Sequence, residues 1–194
     1  MRLAGLLAGA ATLAACAAGG FIRPEPEALK LGETTPPEVV KLIGQPAARE
    51  TMVRNGKHIE ILSYAYVTEA EKHHGEPTVI ASRTLNLFFH DERLIGHEYS
   101  STLAADHTDF ELRKMRAIVK GKTTREDVTA LLGRPSGFIA FPLINTPSAA
   151  MVYAYRQNRR VPFGAPLTFT KTLLISFDER GIVNDLSYAT SGAP

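Results

Sequence analysis

Histidine is the side chain in this sequence best suited to chemistry at neutral pH, because an imidazole can ligate a metal or transfer a proton. His73 and His74 are adjacent and precede Glu76, a combination with metal-ligating atoms. Adjacent side chains project poorly toward one ion and their surroundings are polar, which favours a solvated loop. Three more histidines lie on or near predicted strands without a carboxylate cluster, which favours positions on a sheet surface: His58, His90 and His97.

The signatures of common enzyme classes do not occur in the sequence, which lacks Gly-x-Ser-x-Gly, His-Glu-x-x-His and a phosphate-cradling glycine loop. Asp91 and Asp178 are adjacent to predicted turns, where aspartate is favoured because it hydrogen-bonds the local backbone. We therefore expect no catalytic residue, no metal and no cofactor, and the chain is predicted not to be an enzyme.

Cys16 is the only cysteine, and it ends a short apolar run that follows Arg2. A basic residue before such a run is typical of a secretory signal, and the run is shorter than the ~20 residues that span a bilayer. Leu13–Cys16 resembles the bacterial lipobox, in which small residues precede a cysteine that becomes the acylated N-terminus. A single cysteine forms no internal disulfide, so acylation accounts for the thiol. The alternative is an incidental cysteine with cleavage at Ala15 or Ala18.

These features predict a signal peptide over residues 1–15 and a tether over residues 16–20. Acyl chains on Cys16 anchor a protein to a membrane without a spanning helix. Ala17 stands where an aspartate signals inner-membrane retention in enterobacteria, so we expect a lipoprotein of the outer membrane that faces the periplasm. The formal net charge is only +2, and no stripe of basic residues with interleaved aromatics occurs, so nucleic acid is not an expected partner.

The sequence repeats itself at an offset of 89 residues. Leu31–Pro46 aligns without a gap to Lys120–Pro135, and agreement at this many spaced positions indicates a tandem duplication. The predicted modules span residues 21–100 and 110–191, with a boundary at 101–108. The same offset pairs Phe21 with Phe110, Leu29 with Ile118, and Tyr64 and Tyr66 with Tyr153 and Tyr155.

Each copy carries the signals of a short helix. In the first copy Thr35 and Glu38 form a capping box, and Gly44 supplies the left-handed residue that ends a helix. The corresponding residues of the second copy are Thr124, Asp127 and Gly133. A further amphipathic helix is predicted over residues 109–120, whereas prolines limit its counterpart in the first copy to a turn over residues 27–31.

Strand signals follow the helices in both copies. Asn55–Gly56 predicts a hairpin between residues 50–53 and 58–67. Alternating apolar residues predict a third strand, which contains Leu85, Leu87 and Phe89 in the first copy and Leu173, Ile175 and Phe177 in the second.

The predicted fold class is therefore α+β, with two tandem α-α-β-β-β modules whose short helices pack on antiparallel sheets. Loops over residues 69–82 and 157–168 separate the second and third strands. Three strands bury little apolar surface by themselves, so we expect the two copies to share a core or to join their sheets.

Two tyrosine pairs are the candidate partner-binding residues. Residues two apart on a strand share a face, so Tyr64 pairs with Tyr66, and Tyr153 pairs with Tyr155. If that face lies under the helices, the tyrosines belong to the core. If it faces solvent, they form a binding platform, because tyrosine combines a large contact area with a polar tip.

The repeated Gly-x-Thr-x-x-Glu/Asp-Val-x-x-Leu-Leu-Gly-x-Pro stretch, with a later Phe-Asp-x-x-Gly-x-Val strand, resembles the SmpA/OmlA lipoprotein family. That family includes the small lipoprotein of the outer-membrane β-barrel assembly machinery. The resemblance implies α-α-β-β-β modules, and the tandem arrangement is similar to that of the β-lactamase inhibitor protein. The assembly lipoprotein is a single module, and its second strand usually carries a tryptophan, whereas this chain has two modules and no tryptophan.

The resemblance implies a periplasmic binding or scaffold module, and two hypotheses follow from it. In the first, the protein is an outer-membrane lipoprotein that scaffolds envelope or outer-membrane protein assembly by contacting another envelope protein. In the second, it is a periplasmic inhibitor or ligand-binding module that grips an enzyme or small ligand between its two copies.

Overall fold

The computed structural model describes residues 23–68, 79–106, 108–146 and 148–192. Within these ranges, eight strands form one antiparallel sheet in chain order. The strands are Ala48–Arg54 (β1), Lys57–Val67 (β2), Ser82–His90 (β3), Arg93–Ser101 (β4), Gly137–Ile139 (β5), Ala150–Arg159 (β6), Leu167–Phe177 (β7) and Val183–Ser191 (β8). The helices are Pro36–Ile43 (α1), Leu112–Met115 (α2) and Arg125–Leu132 (α3), with 3₁₀ turns at Pro26–Ala28 and Ala104–Asp106.

The predicted α+β fold of two tandem α-α-β-β-β modules is wrong, because the described residues form a single eight-stranded sheet with few short helices. Each half contributes four strands, and the strands missed are β4 and β8. β3 and β4 form a hairpin, and its turn lies at Asp91 and Glu92, which adopt φ values of 47° and 59°. Aspartate accepts positive φ and Asp91 was expected beside a turn, whereas glutamate seldom adopts such a φ, so the two residues together give a weak hairpin signal.

The amphipathic helix predicted over residues 109–120 is also wrong in extent, because α2 comprises only four residues. Beyond it the backbone forms i to i+3 hydrogen bonds, such as the one from the Ile118 amide to the Met115 carbonyl at 3.0 Å. The Gly121 amide then donates to the carbonyl of Val183 in β8. The chain therefore leaves the α-helical path before the amphipathic pattern ends, and the bond at Gly121 connects the following turn to the sheet.

The helix signals within the repeat are confirmed. The Thr35 amide donates to the Glu38 carboxylate at 2.8 Å, and the Thr124 amide donates to the Asp127 carboxylate at 3.0 Å. The helices α1 and α3 are followed by glycines with φ values of 100° and 83°, at Gly44 and Gly133. A reciprocal cap at one end and a positive-φ glycine at the other define each helix locally.

Other contacts also repeat at the offset of 89 residues. The hydroxyl of Tyr64 donates to the Gly44 carbonyl, and the hydroxyl of Tyr153 donates to the Gly133 carbonyl. The Gly32 amide donates to Leu94 as the Gly121 amide donates to Val183. Each tyrosine thus connects the second strand of its half to the end of a helix.

The helices cover one face of the sheet, and two apolar clusters lie beneath them. Each cluster includes a fully buried valine from a helix, Val39 in α1 and Val128 in α3. The first cluster contains Leu29, Val39, Leu62, Tyr64, Leu85, Leu87, Phe89, Leu94 and Tyr99. The second contains Phe110, Ile118, Val128, Met151, Tyr153, Leu173, Ile175, Phe177 and Val183.

The two halves join through the short strand β5, which pairs with β4 on one side and β6 on the other. Of the two expected alternatives, a shared core or joined sheets, the structure shows joined sheets. Past the end of β5, β4 and β6 contact each other directly, since the Arg156 amide donates to Ser100 Oγ at 2.8 Å. A Cβ atom on Gly137 would lie 1.8 Å from the His97 carbonyl oxygen, so only glycine fits this junction.

No helix in the described ranges is long and apolar enough to cross a membrane. Cys16, the tether and the His73–His74 pair lie outside the described residues.

Candidate functional site

A pocket of about 180 Å³ lies where the two halves meet, on the helix-bearing face of the sheet. We call it the junction pocket. Its base is made of buried side chains from three strands, whereas Pro26, Thr129 and Arg134 are exposed at its opening. The residues that line it are Arg23, Pro24, Pro26, Leu29, Leu85, His97, Tyr99, Thr129, Arg134, Pro135, Phe138 and Met151. Both halves therefore contribute to one mostly apolar cavity.

The junction pocket exists because the helices do not continue across β5. The 3₁₀ turn Pro26–Ala28 and the buried Leu29 border it from the first half, and α3 with the Arg134–Pro135 segment borders it from the second. A helix of two turns covers only part of the width of an eight-stranded sheet. The space left above β4 and β5 is the pocket.

His97 is the polar side chain at the base of the junction pocket. It lies on β4, is only 6% exposed, and meets the Phe138 ring edge-on at a centroid distance of 5.8 Å. Its ring nitrogens form no hydrogen bond with any residue that the structure describes. Burial, followed by the charges of Arg23 and Arg134, lowers the pKa of His97 to about 4. The imidazole is therefore neutral at physiological pH, with one N–H donor and one acceptor available.

Two guanidinium groups border the junction pocket. Arg23 donates from Nη2 to the carbonyl oxygens of Pro135 and Ser136, and its guanidinium lies 4.7 Å from the centre of the Tyr99 ring. Burial, followed by the charge of Arg134, lowers the pKa of Arg23 to about 10. Arg23 therefore keeps its charge at neutral pH. Arg134 donates to the Pro24 carbonyl at 3.1 Å and lies 3.5 Å from the Glu25 carboxylate.

A hydrogen-bonded carboxylate holds the wall of the pocket that Tyr99 forms. Asp106 accepts from the Tyr99 hydroxyl at 2.9 Å, from Ser101 Oγ at 2.6 Å and from Arg83 Nε at 2.8 Å. Burial alone raises the pKa of Asp106, but these hydrogen bonds outweigh it and hold the pKa below its usual value. Burial and the hydrogen bond to Asp106 raise the pKa of Tyr99, so its hydroxyl stays protonated. The Tyr99 ring is thus fixed in orientation.

The groups that line the junction pocket are suited to binding. The described residues contain no cluster of three or more His, Cys, Asp or Glu side chains that could hold a metal ion. Within the described part of the chain, no carboxylate hydrogen-bonds His97 to orient its ring. No hydroxyl there hydrogen-bonds His97 to be activated as a nucleophile. A proton-transfer residue works best when its pKa lies near the working pH, and that of His97 lies well below neutrality. The groups present can bury an apolar surface and form directed hydrogen bonds.

The structure places most of the candidate tyrosines in the core. Tyr64, Tyr153 and Tyr155 are 4%, 2% and 5% exposed, and Tyr66 is partly buried. Tyr153 packs edge-on against Phe110, and Tyr155 donates to Gln157. Three of the four side chains therefore present no platform to a partner. Their hydroxyls anchor local structure, as the repeated bond from Tyr64 and Tyr153 to a helix-ending glycine shows.

The residues of the junction pocket were not among the sequence-predicted site residues. A signal for one of them was present in the repeat, because the offset of 89 aligns His97 with Leu186. Leu186 packs against the apolar cluster of the second half, so the matching position of the first half is also directed to the helix side. His97 is therefore a polar residue at a position where the other copy has an apolar core residue, and this difference singles it out as a candidate functional residue. The pocket itself depends on contacts between the halves, which no local pattern records.

The comparisons with known proteins assign no family. No family model matches the chain, and no curated protein matches it. The crystal structure of a "putative beta-lactamase inhibitor protein" from Streptococcus mutans is similar with a TM-score of 0.40 and 12% sequence identity. The match covers 80% of this chain and 82% of that chain. A likeness of this size carries no argument about fold or function, so the resemblance to SmpA/OmlA modules stays a prediction from the repeated motif.

Proposed function

We propose that this protein is a lipid-tethered binding protein of the bacterial envelope that receives an apolar group of a ligand or partner protein in the junction pocket. The observation that carries this proposal is a buried imidazole without a described hydrogen-bond partner at the base of a mostly apolar cavity. The His97 ring nitrogens are accessible from the pocket, since the only fully buried side-chain polar atom without a partner among the described residues is Arg159 Nε. A bound molecule can therefore form a hydrogen bond with the imidazole.

The walls of the junction pocket are suited to holding such a group. Leu85, Tyr99 and Met151 are at most 3% exposed and belong to the two apolar clusters, so packing within the core holds them in place. Apolar burial contributes roughly 25 cal/mol for each Å² removed from water. Pockets with mostly apolar walls and a few placed polar groups are the usual form of a binding site.

The position of the pocket supports the second of the two functional hypotheses, binding between the copies. The scaffold hypothesis uses an exposed sheet face and the long loops, and three of the four candidate tyrosines are buried and so add no platform to such a face. The partner is expected among periplasmic or envelope molecules, because the proposed acyl tether on Cys16 would hold the protein at the membrane surface. An enzyme bound and inhibited through the pocket and a small ligand bound within it both agree with this proposal.

Closing the pocket is expected to abolish partner binding without unfolding the protein. Thr129 is exposed on α3 at the opening, so Thr129→Trp places an indole over the cavity. The protein has no tryptophan, and the introduced one therefore reports its own environment. We expect its fluorescence emission to shift to shorter wavelength than that of Glu126→Trp, and capture of the partner from envelope extracts to fall at least tenfold.

Glu126→Trp is the matched control, because Glu126 is exposed on the same helix and does not line the pocket. It should capture the same partner as the unaltered protein. Mass spectrometry of the captured material separates the hypotheses, since β-barrel assembly components support the scaffold and a single enzyme supports the inhibitor. Equal capture by Thr129→Trp and Glu126→Trp would remove the pocket from the proposed function.

The proposed tether is tested at Cys16. Cys16→Ser removes the thiol that accepts the acyl chains, so we expect the protein to move from the membrane fraction to the soluble periplasmic fraction. Metabolic labelling with a radioactive fatty acid should disappear at the same time. The thermal unfolding midpoint of the folded domain should stay unchanged, because the tether precedes the first described residue, Arg23. Persistent acyl labelling of the variant would contradict the assignment.

A further inference from the structure

We infer that the group received by the junction pocket is acidic, namely a compact apolar group that carries a carboxylate within one or two bonds. This inference rests on the proposed function and specifies the ligand chemistry. Its basis is the composition of the junction pocket. Apolar side chains surround the His97 imidazole, and two guanidinium groups border the cavity. No carboxylate lines the cavity.

The charge around the pocket favours an anion. Arg23 and Arg134 both line the cavity, and they lie close enough to His97 for their charges to disfavour its protonation. Two carboxylates act on Arg23, Asp106 and Glu25. Asp106 is already paired with Arg83 at 2.8 Å, and Glu25 has a side chain that is 74% exposed and lies 3.5 Å from Arg134. A water-exposed ion pair of this kind contributes little, so it only partly offsets the positive potential. A carboxylate that enters the less hydrated pocket interacts more strongly with the same guanidinium groups.

Donors are available for such a carboxylate. Arg23 uses only Nη2 in its bonds to Pro135 and Ser136, and Arg134 likewise contacts Pro24 and Glu25 through Nη2. The Nε and Nη1 donors of both groups bond to no residue in the described ranges. Because a guanidinium carries five N–H donors in a planar fork, these positions can bind carboxylate oxygens. The neutral imidazole of His97 adds one further donor at the base.

The volume limits the size of the apolar group. A cavity of about 180 Å³ is slightly larger than the ~150 Å³ apolar cavities that hold one benzene molecule. One aromatic ring, or a branched chain of similar size, therefore fills it. This chemistry has two sources, a free aromatic acid or a partner protein that ends in an aromatic residue with its C-terminal carboxylate.

The test compares phenylacetate with its neutral isostere phenylacetamide on the chain carrying Cys16→Ser, which is not acylated and needs no detergent. Chemical shifts of His97 and Met151 report entry into the pocket, and titration gives the affinities. We expect phenylacetate to bind at least tenfold more tightly than phenylacetamide. Short peptides that end in phenylalanine, with a free or an amidated C-terminus, distinguish the protein source from the small-molecule source.

Arg134→Gln should reduce the preference for the acid to less than threefold while the affinity for phenylacetamide stays the same. The matched control is Arg180→Gln, which removes the same charge at an exposed turn beside Asp178 and should keep the full preference. Arg23 is less suitable for this purpose, because its bonds to Pro135 and Ser136 hold the two halves together.

Equal binding of acid and amide overturns the inferred acidic ligand and leaves the pocket as a binding site for neutral groups. Failure of every probe to bind, with partner capture still lost in Thr129→Trp, also overturns it but leaves the proposed function in place. Failure of every probe together with normal capture by Thr129→Trp overturns both.

Discussion

Replacing Gly137 with alanine is expected to lower the free energy of unfolding by about 4 kcal/mol or more, the range reached only by severe substitutions. The added Cβ would lie 1.8 Å from the carbonyl oxygen and 2.7 Å from the carbonyl carbon of His97. Both are backbone atoms of β4, so no side-chain movement relieves the overlap, and β5 must separate from β4. Urea unfolding measures the effect as a lower midpoint, and a changed slope would indicate that the halves unfold separately.

Gly164→Ala is the control for this substitution. Its Cβ would meet only the flexible Val161 side chain at 3.3 Å, so we expect a change within about 0.5 kcal/mol. A loss below 1 kcal/mol for Gly137→Ala would contradict the close approach of β4 and β5. The junction pocket should also disappear in Gly137→Ala, because His97 and Phe138 lie on the two strands that the clash separates.

Acidification from pH 7 to pH 4 is expected to destabilise the protein through His97 by about 3 kcal/mol. Its folded-state pKa is about 4, depressed by burial and by the arginine charges, whereas an unfolded histidine has a pKa near 6.5. The unfolded chain therefore binds the proton first, and stability is lost as the pH falls from about 6.5 through 4. Above the unfolded pKa this contribution is fully present.

The substitution His97→Leu isolates that contribution, because the second half has Leu186 at the corresponding position. The buried carboxylates titrate in both proteins, so the difference between the two pH profiles belongs to His97. We expect the stability gap between variant and parent to widen by about 3 kcal/mol in favour of the variant between pH 7 and pH 4. His58→Leu, at an exposed position of β2, should keep the parental profile. Parallel profiles for His97→Leu and the parent would show that the imidazole is hydrated in the folded state.

The local elements of this protein follow from short stretches of sequence. The hairpin at Asn55–Gly56 was predicted correctly because both residues accept positive φ, with values of 49° and 72° in the structure. The capping boxes at Thr35 and Thr124 were predicted because the bonds they form span only three residues. Interactions this short depend little on the rest of the chain.

The prediction failed where longer contacts decide the outcome. The pattern over residues 109–120 is amphipathic, yet α2 has only four residues and the chain reaches a bond from Gly121 to Val183 in the sheet. The tyrosine pairs show the same dependence, because alternation establishes that Tyr153 and Tyr155 share a face but not which face the helices cover. The helices cover it, and both rings are buried.

By itself, the sequence determined the duplication, the capped helices α1 and α3 and the β1–β2 hairpin, and it predicts the acylated cysteine. Only the tertiary structure decided that both copies form one sheet and that their junction encloses a pocket around His97. The physical reason is that this junction depends on the close approach of β4 and β5, whose paired residues Glu98 and Gly137 are far apart in the chain. The absence of a side chain at Gly137 permits β5 to approach β4. No local pattern in the sequence shows that β4 is the strand with which β5 pairs.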